Sequence, residues 1–266
     1  MLEHNRPLDT RVAARLRSGD KLRGIFNGLP SPAIVEMCGY AGFDFIVLDN
    51  EHGSADLQTT EHMLRAARAS GIPAIVRCFE ADIARTLDMG ASGVKIPMVD
   101  TAEQARSLVR QVRYPMRAGQ SGGGQRGVAF SSRAAGYGAF GGAGHTTRSN
   151  DGVALIVMLE TPEALENAGE IAAVPGVDAV FIGPNDLSHA MGYGPDWSAP
   201  AVQAVIERAL RAVSDGGGCA GMLALSPAEE ARYAAWGARY FATVSTVLIT
   251  RALGEAASGA SRTLAY

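Results

Sequence analysis

Phe43-Asp-Phe-Ile-Val-Leu-Asp-Asn-Glu-His-Gly53 contains an apolar run, Phe45 to Leu48, that stops abruptly at Asp49, Glu51 and His52. The run lacks the polar alternation of a half-exposed strand. Its aromatic and β-branched bias is that of a strand covered on both faces, as in a parallel sheet flanked by helices. A buried strand that delivers titratable groups at its end marks the chemical edge of its sheet. The reading of the rest of the chain turns on whether other strands end in the same way.

They do. Upstream, Val12 to Arg17 reads as a short helix and Leu22 to Asn27 as a strand ending at Gly28; Ser31 as N-cap and Pro32 at the first helical position then open a helix that runs to Tyr40. Downstream of Gly53, a helix from about Leu57 to Ala69 is stopped by Gly71 and Pro73. Strand Ala74 to Arg77 ends in a charge, helix Asp82 to Met89 follows, and strand Val94 to Val99 leads through the Thr101 cap into helix Ala102 to Val112. Strand Val153 to Leu159 ends at Glu160, with Thr161 capping helix Glu163 to Ala173, and strand Val177 to Ile182 ends in Gly183-Pro-Asn-Asp-Leu-Ser188. Helix Ala201 to Ser214, strand Cys219 to Leu225, helix Pro227 to Trp236, strand Tyr240 to Val244 and a helix from about Val247 to Ala257 complete eight strand-helix units. Eight such units predict an α/β protein built as one (β/α)8 TIM barrel over residues 1–266, with its active site at the C-terminal ends of the strands. A doubly wound sheet is disfavoured, because no Gly-x-Gly-x-x-Gly follows the first strand and polar residues end many strands instead of clustering at one switch point.

The stretch from about 116 to 151 breaks the rhythm as a Gly-rich insertion. Its glycines free backbone N–H groups, and Arg117 and Arg126 add charge, which suggests an anion-binding loop or a lid; a surface excursion is the alternative. The other classes are narrowed by composition. The 47% apolar content suits a large core, and the net charge of -3 provides no field for nucleic acid or an acidic membrane surface. No apolar run approaches the roughly 18 residues of a membrane span, and Met1 to Arg11 has no signal-peptide core, so a cytoplasmic location is expected. Cys38, Cys78 and Cys219 form no CxxC pair and are expected to be reduced and mostly buried.

On the barrel reading, Asp49, Glu51, His52, Arg77, Glu160 and Asp186 face one mouth. Glu160 and Asp186 end adjacent strands, and two carboxylates in one site repel unless a proton or cation lies between them. A divalent cation resolves this; with oxygen ligands and no nearby cysteine, Mg2+ or Mn2+ is expected ahead of Co2+ or Zn2+. The competing reading makes both carboxylates helix N-terminal charges. Arg77 requires an anion, either from the substrate or from Asp49 or Glu51. His52 is placed to act as a general base, although a lone histidine is often only a cap. Asp88 lies in the last turn of its helix, where a negative charge opposes the dipole, so it needs a partner, and His52 is a candidate.

Together, Gly42 to Gly53, Ile75-Val-Arg77, Leu87-Asp-Met-Gly-Ala91, Pro97-Met-Val99, Arg113-Tyr-Pro115, Leu159-Glu-Thr161 and Gly176 to Ser188 resemble the HpcH/HpaI aldolases, class II pyruvate aldolases that cleave 4-hydroxy-2-oxoacids. The resemblance implies that Glu160 and Asp186 hold a divalent metal, that His52 backed by Asp88 handles the proton, and that Arg77 steadies the keto oxygen. It also implies that the N–H groups of Asn185 and Asp186 receive the carboxylate of a small 2-oxoacid, and that the chain forms a homo-oligomer, a hexamer. Three departures surround the mouth: Met158 in place of a frequent Gln, an expanded segment from Tyr114 to Gly127, and Thr246 where relatives often carry Asp. They bear on the acceptor more than on the enolate machinery. A branch of similar sequence makes citrate from oxaloacetate and an acetyl thioester, which is the second reading, and an idle acid-binding barrel is the third.

Overall fold

The computed structural model describes residues 6–116 and 123–259. Its eight strands are β1 (Leu22–Asn27), β2 (Phe45–Asp49), β3 (Ala74–Arg77), β4 (Gly93–Ile96), β5 (Ala154–Leu159), β6 (Ala179–Ile182), β7 (Ala220–Leu223) and β8 (Ala238–Val244). They close in sequence order into an all-parallel barrel, with β8 pairing back onto β1. Along the chain the helices are α1 (Arg11–Ser18), α2 (Pro32–Tyr40), α3 (Leu57–Ser70), α4 (Ile83–Asp88), α5 (Ala102–Val112), α6 (Ala143–Gly152), α7 (Pro162–Glu166), α8 (Ala168–Ala172), α9 (Pro184–Ala190), α10 (Pro200–Asp215), α11 (Pro227–Ala235) and α12 (Ser245–Ala257). The expected (β/α)8 barrel is therefore the fold.

Strand β2 is buried at every position, as a barrel strand walled in by helices must be. Its alternate side chains feed two cores. Phe45 and Val47 point to the barrel interior with Phe26, Ile75, Phe181 and Tyr240, whereas Ile46 and Leu48 face the helix layer. Inside, Phe45 stacks on Tyr240 at 4.6 Å, and Phe181 meets Tyr240 edge-on at 5.8 Å. Gly24 on β1 makes that stack possible, because a Cβ there would lie 2.2 Å from the Phe45 ring. Helix α1 contributes Val12, Ala13 and Leu16 to the interior cluster. Each large side chain withdrawn from water contributes roughly 1.5–3 kcal/mol, so this aromatic interior helps to support the strand ends above it.

Local signals set the element starts. Ser31 Oγ accepts from Ile34 N–H, Thr161 Oγ1 accepts from Ala164 N–H, and Thr101 with Gln104 forms a full capping box. The sequence reading of β4 ran to Val99, but the strand stops at Ile96, where Pro97 and a left-handed Met98 (φ 56°) turn the chain. The helix expected over 163–173 is two short ones, broken at Asn167, whose amide donates to Asp100 C=O at 2.8 Å. Within the Gly-rich insertion the structure places a 3-10 segment, Arg133–Gly138, and helix α6.

Candidate active site

The C-terminal strand ends enclose a cavity of about 470 Å³. Asp49, His52, Arg77, Glu160, Asn185 and Asp186 all line it, so six of the residues singled out from sequence share one space. A roomier groove of about 810 Å³ beside α6 lies away from this constellation. The three cysteines are free and buried, as expected.

Parallel pairing puts Asp49 opposite Arg77, and their side chains meet above the sheet. Arg77 Nε donates to Asp49 Oδ1 at 2.8 Å and Nη2 to Oδ2 at 2.5 Å, a bidentate fork. Arg77 Nη1 also lies 3.0 Å from Glu51 Oε2, close enough for charge attraction although off hydrogen-bond geometry. Of the two partners left open for Arg77 by the sequence, the protein itself supplies one. Burial works to raise the Asp49 pKa, but the Arg77 fork and the backbone N–H groups of His52 and Glu51 outweigh it and hold the carboxyl below its usual range. Burial likewise opposes charge on Arg77, and Asp49 and Glu51 more than restore it.

His52 follows on the β2 loop with its side chain exposed to solvent. Its Nε2 is 3.9 Å from Glu51 Oε2, so Glu51 stands between the imidazole and Arg77. Across the cavity, Glu160 is 2% exposed and accepts the Met98 N–H at Oε2, 2.8 Å away. Burial pushes its pKa up to about 7, with the negative charges of Glu51 and Asp186 adding to that and Met98 N–H and Arg77 opposing it. Gly183 is part of this arrangement, because a Cβ there would come within 2.7 Å of Glu160 Cγ and Oε1. Met98 pays for its donor with a left-handed backbone, a strain of order 1 kcal/mol for a non-glycine residue.

A family model for HpcH/HpaI aldolase/citrate lyase matches residues 22–250. The chain belongs to that family. As an HpcH/HpaI protein it is an enzyme, a class II metal-dependent carbon-carbon lyase. It is 38% identical over 243 residues to the 2-keto-3-deoxy-L-rhamnonate aldolase of Salmonella gallinarum, covering 90% of this chain and 88% of that one. To the enzyme of the same name from Escherichia coli K12 it is 37% identical over 246 residues, covering 91% and 89%. Among solved structures, an HpcH/HpaI family protein from Burkholderia cenocepacia matches with a TM-score of 0.87 at 30% identity, covering 95% of this chain and 99% of that one. The citrate synthase SbnG matches with a TM-score of 0.80 at 28% identity over 94% and 96%.

The donor set of this HpcH/HpaI enzyme fits a divalent cation. Among the described residues no group of three His, Cys, Asp or Glu side chains gathers to enclose a metal, so a closed zinc-type site is not built. A buried, proton-hungry Glu160 beside Asp186 instead offers two hard oxygen donors and leaves positions for water or substrate.

Two further placements qualify the sequence reading. Asp88 does not reach the cavity within the chain; its Oδ1 accepts from Arg126 Nη2 at 2.6 Å, so its partner here is Arg126 and not His52. That contact joins the insertion to α4. Arg126 Nη1 also donates to Ser149, and its guanidinium covers the Tyr114 ring at 4.3 Å. The described part of the insertion contributes no residue to the mouth, which gives the lid reading no support there, and Arg117 lies outside the described residues. Lys95 escaped the sequence reading. Paired in register with Arg77, it is fully buried, with Nζ 3.5 Å from the Phe181 ring centre, 4.3 Å from that of Phe26, and no hydrogen-bond partner among the described residues. Burial first, and then Arg77, push its pKa well below the ordinary lysine value. The one available signal was a lysine inside the apolar run Gly93-Val-Lys-Ile96.

Proposed function

We propose that the enzyme cleaves and forms 4-hydroxy-2-oxoacids through the enolate of pyruvate, using Mg2+ or Mn2+ held by Glu160 and Asp186. The supporting observation is the opposition, across one cavity, of this carboxylate pair to Arg77 and His52. A divalent cation there supplies Lewis-acid polarisation of the 2-oxo group.

The chain's own groups account for the remaining needs. Two N–H groups of the first turn of α9, those of Asn185 and Asp186, lie where helix geometry leaves donors without intrahelical partners, and they receive the substrate carboxylate. His52 removes the proton of the C4 hydroxyl, directly or through water. The C3–C4 bond then breaks, its electron pair passes into the enolate, and the aldehyde departs. Arg77, locked by Asp49 and Glu51, keeps guanidinium protons for the developing enolate oxygen without having to reorganise. Return of a proton to C3 gives pyruvate.

The likeness to SbnG sustains one other reading, condensation of oxaloacetate with acetyl-coenzyme A, while the higher identity to named aldolases favours the first. Coupled pyruvate detection over a panel of 4-hydroxy-2-oxoacids with Mg2+ or Mn2+ tests the proposal, and the absence of turnover with every metal would refute it. Free thiol and citrate from oxaloacetate and acetyl-coenzyme A would establish the other.

A further inference from the structure

Lys21 and Lys95 are the only lysines in the sequence. Lys21 is partly exposed and pairs with Glu230, whereas Lys95 stands inside the barrel. The Lys95 Nζ lies 3.5 Å from the ring centre of Phe181, 4.3 Å from that of Phe26 and 5.0 Å from that of Tyr240, without a hydrogen-bond partner among the described residues. Three ring faces, each negative at its centre, make a cage that suits an ammonium better than an amine. The surroundings pull in both directions: burial and then Arg77 disfavour the charge, while Glu160 and Asp49 favour it. The other ionisable groups of this interior, Tyr240 and Cys219, are kept protonated by burial and carry no charge at neutral pH. A change of charge nearby therefore decides the state of the amine. An arginine would not respond in this way, because its guanidinium does not lose its proton.

The rings of Phe26 and Phe181 also line the mouth cavity. They block contact between Nζ and a ligand, but a charge still acts across them because the medium is of low dielectric. We infer that Lys95 is a positioning residue that takes up one proton from solvent when an anionic 2-oxoacid enters the cavity, and that its ammonium then offsets the ligand's charge through these two rings. This rests on the aldol reading, in which Glu160 and Asp186 are offset by the cation they hold and Arg77 is engaged by Asp49 and Glu51. The carboxylate of the 2-oxoacid, and the enolate formed from it, then add negative charge that no other described side chain of the barrel interior is free to meet.

The test counts protons. Calorimetric titration of pyruvate into the Mg2+-saturated protein at pH 8, in HEPES and in Tris, gives the affinity and, from the difference in buffer ionisation heat, the protons taken up per site. Pyruvate has no hydroxyl proton for His52 to remove, so that task stays idle. The wild type should take up close to one proton. Lys95→Met keeps the length of the side chain and removes the unpartnered amine; it should take up nearly none and bind pyruvate at least tenfold more weakly. A merely structural lysine would change the affinity and leave the proton count alone. Equal counts in the two proteins, or no uptake by the wild type, overturn the inference and leave the 2-oxoacid site standing. No binding of pyruvate to the wild type with Mg2+ or Mn2+ overturns both. Where Lys95→Met does not fold, carbon-13 NMR of Lys21→Arg labelled at lysine Cε decides, because one labelled residue remains. Its resonance should move from the amine to the ammonium position when Mg2+ and pyruvate are added, and a resonance that does not move overturns the inference.

Discussion

Replacing Glu160 with Gln should make the metal-free protein more stable at alkaline pH. The physical reason is a buried carboxyl whose pKa is raised from 4.5 to about 7. A group with a folded pKa above its unfolded value favours the fold while protonated, and this advantage disappears as pH rises through the folded pKa. Above pH 7, ionised Glu160 therefore burdens the fold by about 3 kcal/mol, from roughly 2.5 pH units at 1.36 kcal/mol each. At pH 5 the folded carboxyl keeps its proton and the burden is below about 1 kcal/mol. A glutamine side chain preserves the shape and an oxygen to accept the Met98 N–H, but it never ionises. Urea melts of both proteins in chelator, at pH 5 and pH 8, should show the variant gaining about 2–3 kcal/mol between the two conditions. Adding Mg2+ at pH 8 should stabilise the wild type and leave Glu160→Gln unmoved. A stability difference that is the same at both pH values would refute the reasoning.

The other expectations concern separate contacts. Gly183→Ala places a methyl within 2.7 Å of the Glu160 carboxylate, so Mn2+ affinity measured by electron paramagnetic resonance should fall at least tenfold; unchanged affinity would show that the glycine has no such role. Arg77→Met strands Asp49 and should cost about 3–5 kcal/mol in a urea melt, largely recovered by adding Asp49→Asn. In the wild type the Asp49 carboxyl lies below its ordinary 3.8, so its contribution is present above that value and is lost as pH falls through the lower folded pKa; acid melts of Asp49→Asn should lack that phase. His52→Asn should lower turnover by roughly 10²–10⁴-fold with Mn2+ affinity intact, and a loss of affinity would move His52 from proton transfer to metal binding.

Strands β1 and β3 and helix α5 fall where the sequence puts them, because each is bounded by a residue that acts locally: Gly28, Arg77, or the Thr101 cap. Helix α6 did not announce itself. Its sequence, Ala-Gly-His-Thr-Thr-Arg-Ser-Asn-Asp-Gly, has poor helix formers at most positions, and contact with α1 holds it in place. The convergence of Glu160, Asp186, Arg77 and His52 was legible once the barrel was, since strand order alone carries terminal residues to one mouth. Asp88 was not. Its partner, Arg126, is 38 residues away in a Gly-rich segment, and nothing near either residue encodes the pairing. The donor from Met98 is also invisible from sequence, because it depends on one backbone angle and any residue type except proline carries an N–H.

The charges of the mouth explain why one carboxylate should hold a proton until a cation arrives. Asp49 and Glu51 share Arg77, so the guanidinium has little left to offset Glu160 and Asp186 across the cavity. Lys95 lies beneath, but burial and Arg77 push it toward the neutral amine, and the rings of Phe26 and Phe181 screen it from the cavity they line. Removing a carboxylate from water without a counter-charge is costly, and the less expensive state is a protonated Glu160. A divalent cation held there, as proposed, would supply two positive charges in place of that proton. Arg77 is thus arranged to be permanently paired and rigid, whereas Glu160 is arranged to be unpaired, and the same buried strand ends produce both conditions.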